Sequence, residues 1–226
     1  MASPTPFPAN IKAILFDHDG TLVDSERVHY EFWAQVLHGH GCELSAEDYI
    51  NQCVGVSEIR TAEIFKAQFN LNASVVTLVE QKRRVAEAFH RDQHYPLMPG
   101  VAATLGRLAA TPLTLAVVSG SAAFALEASL TALGLRDLFA CVASGENVPH
   151  NKPAPDVYQL AMQRLNLAPE QCMAIEDTAS GLQAAKAAGV FTCVIPNSYS
   201  AHHDLSLADN RFSTMSDWLA WFEARV

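Results

Sequence analysis

Short apolar runs alternate along the chain with longer stretches of helical period. The runs are Ile11–Asp17 (IKAILFD), Leu113–Val118 (LTLAVV), Cys141–Ala143 (CVA), Cys172–Ile175 (CMAI) and Phe191–Ile195 (FTCVI). Apolar residues on both parities are the mark of a parallel strand covered on both faces, not of a strand with one wet side. Between these runs, Ala122–Leu133 has helical period and ends at Gly134, Pro155–Leu165 opens on a proline, and Ala179–Ala188 stops at Gly189. Glycine just past a helix tolerates the left-handed conformation there, and proline is accepted in a first turn. Strands separated by helices must pair in parallel through right-handed crossovers, so the pattern predicts a doubly wound α/β fold with helices on both faces of one sheet.

One segment breaks this rhythm. From Asp24 to Tyr95 the chain shows helical patterns at Glu26–Leu37, Ser45–Gln52, Glu58–Phe69 and Ser74–His90 and no strand. An all-helical domain, residues 24–95, is therefore expected as an insertion into a core made of residues 1–23 and 96–226. Pro96 and Pro99-Gly100 punctuate the return. Trp33 and Phe65 are expected in the core of the insertion, and Lys82-Arg83-Arg84 on a solvated helical face. Trp218-Leu219 and Trp221-Phe222 predict an amphipathic closing helix.

Composition narrows the classes. With 226 residues, half of them hydrophobic, and only eleven glycines and eleven prolines, the chain is globular, with enough length for a real core. The net charge of −9 leaves no basic footprint for a phosphate backbone, so no nucleic acid partner is expected. Five cysteines with no C-x-x-C pair suggest buried thiols in a reducing compartment, which fits a cytoplasmic protein. No charged segment followed by an apolar core opens the chain, and no apolar run is long enough to span a bilayer, so neither export nor a membrane is expected. His202-His203 lacks metal-ligand spacing and is expected at the surface.

In open α/β sheets the ligand crevice lies beyond the carboxyl ends of the strands, so the chemistry should sit where strands end. Four ends are polar: Asp17 and Asp19 (FDHDGT), Ser119 (VVSGS), Lys152 in the loop after the third strand (NKPAPD), and Glu176 with Asp177 (AIEDTASG). Asp17, Asp19, Glu176 and Asp177 would crowd four carboxylates together, which a hard cation with oxygen ligands, Mg²⁺ above all, makes tolerable. Lys152 lies between Asn151 and Pro153, stiff enough to hold an ammonium at one point. Ser119, with Gly120 behind it, offers a hydroxyl and backbone amides to an anion.

Together, in this order, the four segments resemble the haloacid dehalogenase superfamily, in its phosphatase and phosphomutase branch with a helical cap inserted after the first motif. The resemblance implies Asp17 as the nucleophile of a phosphoaspartyl mechanism and Asp19 as general acid and base. It also implies Ser119 and Lys152 on the transferring phosphoryl group, with Thr21 assisting. Mg²⁺ would be held by the Asp17 carboxylate, the Asp19 carbonyl and Asp177, with Glu176 direct or through water. An acidic side chain two residues after the nucleophile points to phosphate-ester chemistry rather than dehalogenation. The substrate class implied is a small phosphorylated sugar, polyol or hydroxy acid, bound by a monomer.

A β-phosphoglucomutase-like mutase is the alternative. His29 and Trp33 fall at that enzyme's offsets from the nucleophile, and Gly55-Val56-Ser57 resembles its cap sequence. That mutase flanks Gly-Val-Ser with a lysine and an arginine, where this chain has Val54 and Glu58, so a hydrolase is favoured. Gly55, Ser57, Glu58 and Arg60 are expected at the substrate-facing turn of the cap, with His29 near its hinge. A catalytically idle binding protein is the third reading, opposed by the intact set of Asp17, Asp19, Ser119, Lys152 and Asp177.

Overall fold

A computed structural model describes residues 7–54 and 56–226, the side chain of Asp92 apart. Its sheet has six parallel strands in the order β3-β2-β1-β4-β5-β6. They are β1 (Ala13–Phe16), β2 (Thr114–Ser119), β3 (Cys141–Ser144), β4 (Cys172–Glu176), β5 (Phe191–Val194) and β6 (Asn210–Arg211). The chain runs outward from β1 to β3 and returns to β4 on the other side of β1, which makes the β1/β4 boundary the switch point of the sheet. There Phe16 pairs with Ile175, so Asp17 and Glu176 emerge side by side.

Every residue of β1, β4 and β5 is buried, as their two-sided apolar pattern requires. On one face Ala13 and Leu15 join Val118, Ala143 and Cys172 under α7 (Asp156–Leu165) and α8 (Ala179–Ala187). On the other, Phe16 meets Trp218 of α9 (Met215–Glu223) edge to face, at 6.0 Å between ring centroids. Truncating fully buried Trp218 to alanine would cost about 3–5 kcal/mol. The remaining helices of this unit are α5 (Val101–Leu108) and α6 (Ala123–Ala132).

The chain divides into two compact units, one formed by Pro96–Val226 with the segment up to Asp24, the other by Ser25–Tyr95. The second holds α1 (Glu26–His38), α2 (Ala46–Cys53), α3 (Glu58–Gln68) and α4 (Val75–Asp92). Ser45, Ser57 and Ser74 cap α2, α3 and α4, each hydroxyl accepting from the backbone N–H three residues on. Trp33 and Phe65 meet at 5.4 Å in its core. Lys82 departs from the solvated face expected for it: its side chain is only 12% exposed, paired with Glu58 and set 5.9 Å from the centre of the Phe32 ring. Among the described residues no helix is long and apolar enough to cross a membrane.

Four of the five free cysteines are buried and Cys42 is half-buried. His202 is exposed and His203 half-buried, with the His203 Nδ1 accepting from the Ala179 N–H at the start of α8. Two elements have no counterpart in the sequence reading: α5, which is short and carries Gly106, and edge strand β6, whose two residues are half-buried and exposed.

Candidate active site

The site grows from the end of β1. The Asp17 N–H still donates to the Ile175 carbonyl, as in a strand, and then the chain turns. Gly20 makes that turn with φ of +82°, and a Cβ there would stand 2.6 Å from Asp177 Oδ2 and 2.8 Å from Asn197 Nδ2. Only glycine satisfies both the backbone and the space. Thr21 then donates to Asp177 Oδ1 at 3.3 Å. Asn197, just beyond β5, donates to the Gly20 carbonyl at 3.0 Å and to Asp177 Oδ2 at 2.9 Å.

Asp17, Glu176 and Asp177 are all buried, and one carboxylate oxygen from each lies within 4.8 Å of the others. Among the described residues one ammonium answers two of them, Asp17 and Glu176. Lys152 Nζ donates to Asp17 Oδ1 at 2.6 Å, to Glu176 Oε1 at 2.7 Å and to the Val118 carbonyl at 2.9 Å. Burial alone would lower Lys152, but the charges of Asp17 and Glu176 outweigh it and hold the ammonium above its ordinary range. Burial, opposed by Lys152 and reinforced by Glu176 and Asp19, pushes Asp17 up to about 7. Tyr158 of α7 also donates to Glu176 Oε1, at 2.6 Å, and burial followed by the Glu176 charge drives its phenol far above the ordinary value.

The residues fit a hard divalent cation. Among the described residues three clustered carboxylates outnumber one ammonium, and Glu176 Oε2 is buried with no hydrogen-bond partner. The donor set is all oxygen, as Mg²⁺ prefers. Gly181 makes room for it: a Cβ at that position would overlap the Glu176 carboxylate.

Asp19 has a different setting. Its side chain, 20% exposed, lies outside that cluster. Ser121 donates to its Oδ2 at 2.6 Å and Ser119 to the same oxygen at 3.4 Å, while His18 Nδ1 lies 3.3 Å from Oδ1. The loop carrying these serines is fixed from behind. Asn151 donates to the Gly120 carbonyl at 2.8 Å, Ser144 to the Ser121 carbonyl at 2.7 Å, and Glu146 accepts from the first N–H of α6 at 3.0 Å.

The expected residues thus separate by unit. Asp17, Asp19, Thr21, Ser119, Gly120, Lys152, Glu176 and Asp177 converge at the carboxyl ends of β1, β2 and β4 and in the loop after β3. In the helical unit, Ser57 caps α3, and both oxygens of Glu58 are taken, by Lys82 at 3.1 Å and Arg83 at 3.0 Å. Arg60 pairs with Glu63 at 2.8 Å, and His29 packs edge-on against Phe32 and Tyr95. Gly55 lies outside the described residues. Shallow grooves of about 270 and 390 Å³ between α1 and α4 hold none of the clustered carboxylates. The sequence reading missed His18, Ser121, Tyr158 and Asn197 as site residues; the strand-end rule, applied to β5, would have reached Asn197.

The chain is similar to known proteins along most of its length. Protein CbbY of Rhodobacter capsulatus is 34% identical over 219 residues, 91% of this chain and 94% of that protein. The fructose-1-phosphate phosphatase YqaB of Escherichia coli K12 is 34% identical over 182 residues, 78% of this chain and 92% of its own length. The crystal structure of CbbY from Rhodobacter sphaeroides in complex with phosphate superposes with a TM-score of 0.79 at 28% identity, covering 90% of this chain and 94% of that one. Residues 14–195, which run from β1 to just past β5 and include every carboxylate above, match the haloacid dehalogenase-like hydrolases, and the chain belongs to that family.

Proposed function

We propose that this chain is a Mg²⁺-dependent phosphatase that hydrolyses the phosphate monoester of a small sugar, polyol or hydroxy acid through a phosphoaspartyl intermediate on Asp17. That it is a phosphatase of the haloacid dehalogenase-like family follows from the family match and the phosphatase among its relatives. The observation that carries the finer reading is the contrast between two carboxylates two residues apart. Asp17 is buried beside an ammonium, whereas Asp19 is partly exposed and held by hydroxyls. Different surroundings for neighbouring acids are how one site assigns a nucleophile and a proton carrier.

Asp17 attacks phosphorus in line as the ester P–O bond breaks, and Asp19 gives its proton to the departing oxygen. Asp19 then takes a proton from water as that water attacks the phosphoaspartate, freeing phosphate and restoring the Asp17 carboxylate. Lys152, anchored on Asp17 Oδ1, Glu176 Oε1 and the Val118 carbonyl, orients the nucleophile, while the Ser119 hydroxyl donates to Asp19 Oδ2. Mg²⁺, held by Asp17, Asp177 and the Asp19 carbonyl with Glu176 beside them, would supply charge neutralisation that lets two anions approach. Free, mostly buried thiols support a reducing cytoplasm.

A mutase would need a cation for a second phosphate. Arg60, Lys82 and Arg83 are each engaged by a carboxylate, which supports the hydrolase. The test is phosphate release from a panel of sugar, polyol and short-acid monophosphates with Mg²⁺, alongside β-glucose 1-phosphate with its bisphosphate activator. Release that EDTA and Asp17→Asn abolish is expected; isomerisation without net release would overturn the reading in favour of the mutase.

A further inference from the structure

His18 stands between the two aspartates and is almost completely buried, where an apolar residue would fill the space without two ring nitrogens to satisfy. Its Nε2 lies 3.0 Å from the hydroxyl of Ser129, a residue 111 positions away that is itself buried on the face of α6. Ser129 sits there beside Leu126 and Leu130, the other buried residues of that helix. Two buried polar side chains therefore answer each other, and the far edge of the imidazole reaches Asp19 Oδ1 at 3.3 Å. With the proton on Nδ1, Nε2 accepts from the Ser129 hydroxyl and Nδ1 lies beside the Asp19 carboxylate, near enough for an electrostatic contact but without the geometry of a hydrogen bond to it. The opposite oxygen, Oδ2, is held by Ser121 at 2.6 Å. The carboxyl group is thus hydrogen-bonded at Oδ2 and contacted by the imidazole at Oδ1.

We propose that His18, braced by Ser129, is a positioning residue that orients the Asp19 carboxyl group for proton transfer. This rests on the role given to Asp19 above. A carboxyl group free to rotate would spend less time aimed at the leaving oxygen, and a displacement of about an ångström is enough to lose a large part of a proton-transfer advantage. No bond to His18 forms or breaks in the reaction, so its effect should follow how much the leaving group needs a proton.

The experiment compares kcat/KM for fructose 1-phosphate, whose alkoxide must be protonated, with that for p-nitrophenyl phosphate, whose leaving group is stable as an anion. His18→Leu should lose about ten- to a hundredfold on the first ester and stay within about threefold on the second. His18→Asn, which can place an amide donor near the Nδ1 position, should recover most of that loss. Ser129→Ala, remote from the reacting groups, should show a smaller loss with the same dependence on the ester. The Mg²⁺ concentration for half-maximal rate should not move. Equal losses on both esters, or wild-type efficiency of both His18→Leu and Ser129→Ala on fructose 1-phosphate, would overturn the proposal while leaving the phosphatase reading standing. Failure of the wild-type protein to hydrolyse these esters and every monophosphate of the panel above would overturn both.

Discussion

Lys152 reaches Asp17 across 135 positions of sequence, Nζ to Oδ1 at 2.6 Å, and the same nitrogen holds Glu176. One ammonium therefore joins the loop after β3 to the ends of both central strands.

Removing that ammonium should affect both fold and chemistry. Lys152→Met leaves Asp17 and Glu176 buried without their cation, and loss of one partner from a buried pair is worth about 3–5 kcal/mol. The turnover of the folded fraction should fall by at least about a hundredfold, the usual effect of removing a preorganised donor. Urea denaturation and phosphate release check the two effects separately. Arginine should not substitute, because its planar fork cannot place three donors around one point.

Gly181→Ala is expected to be harmful at a helical position where alanine would otherwise gain about 1 kcal/mol. The new methyl group would overlap the Glu176 carboxylate and displace it from Lys152 and Tyr158. Isothermal titration with Mg²⁺ should show weakened binding even where circular dichroism shows an intact fold. Unchanged Mg²⁺ affinity would mean that Glu176 does not contribute to the cation site.

The carboxylate cluster also sets a pH dependence. Asp17 is raised from 3.8 to about 7, so in the metal-free protein its contribution to stability is complete below pH 3.8 and is lost as pH rises through 7. A cation binds only the ionised form, so the increase in Tm on adding Mg²⁺ should be small near pH 5.5 and grow toward pH 8. Differential scanning fluorimetry at several pH values would show this, and a shift that is flat with pH would contradict it.

The thiols act at the other end of the scale. Burial pushes Cys172 up to about 11 and Cys53 up to about 12, from 9.0, and raises Cys141 and Cys193 as well. Their contribution to stability is fully present below pH 9 and is lost as pH rises through 11 to 12. The urea midpoint should fall across that window, and substituting the four buried cysteines with alanine should flatten the fall. In the native protein at neutral pH a thiol reagent should label half-buried Cys42 first.

The strands and helices that position the site were legible because their signals are local. Two-sided apolar runs name β1 and β4, Gly189 closes α8, and the polar residues at strand ends name Asp17, Ser119 and Glu176. What escaped depends on partners distant in sequence. Tyr158 looks like a core aromatic of α7 until Glu176 lies 2.6 Å from its hydroxyl, and His18 like a filler between two acids until Ser129 comes from 111 positions away. Ser57 and Glu58 show the same limit in the helical unit, where a cap and two ion pairs occupy atoms that the sequence offers to a substrate. The two-residue β6 has no apolar run to announce it, and its register against Cys193 and Val194 is a tertiary fact.

The central claim, covalent catalysis by Asp17, is tested most directly by oxygen exchange between inorganic phosphate and water. The protein would be incubated with Mg²⁺ and ¹⁸O-labelled phosphate, and the isotopic composition of the phosphate followed by mass spectrometry. Reversible formation of a phosphoaspartate expels one phosphate oxygen as water, so label should be lost steadily with wild-type protein and retained with Asp17→Asn or EDTA. Retention of all the label by wild-type protein that hydrolyses phosphate esters would contradict the covalent mechanism.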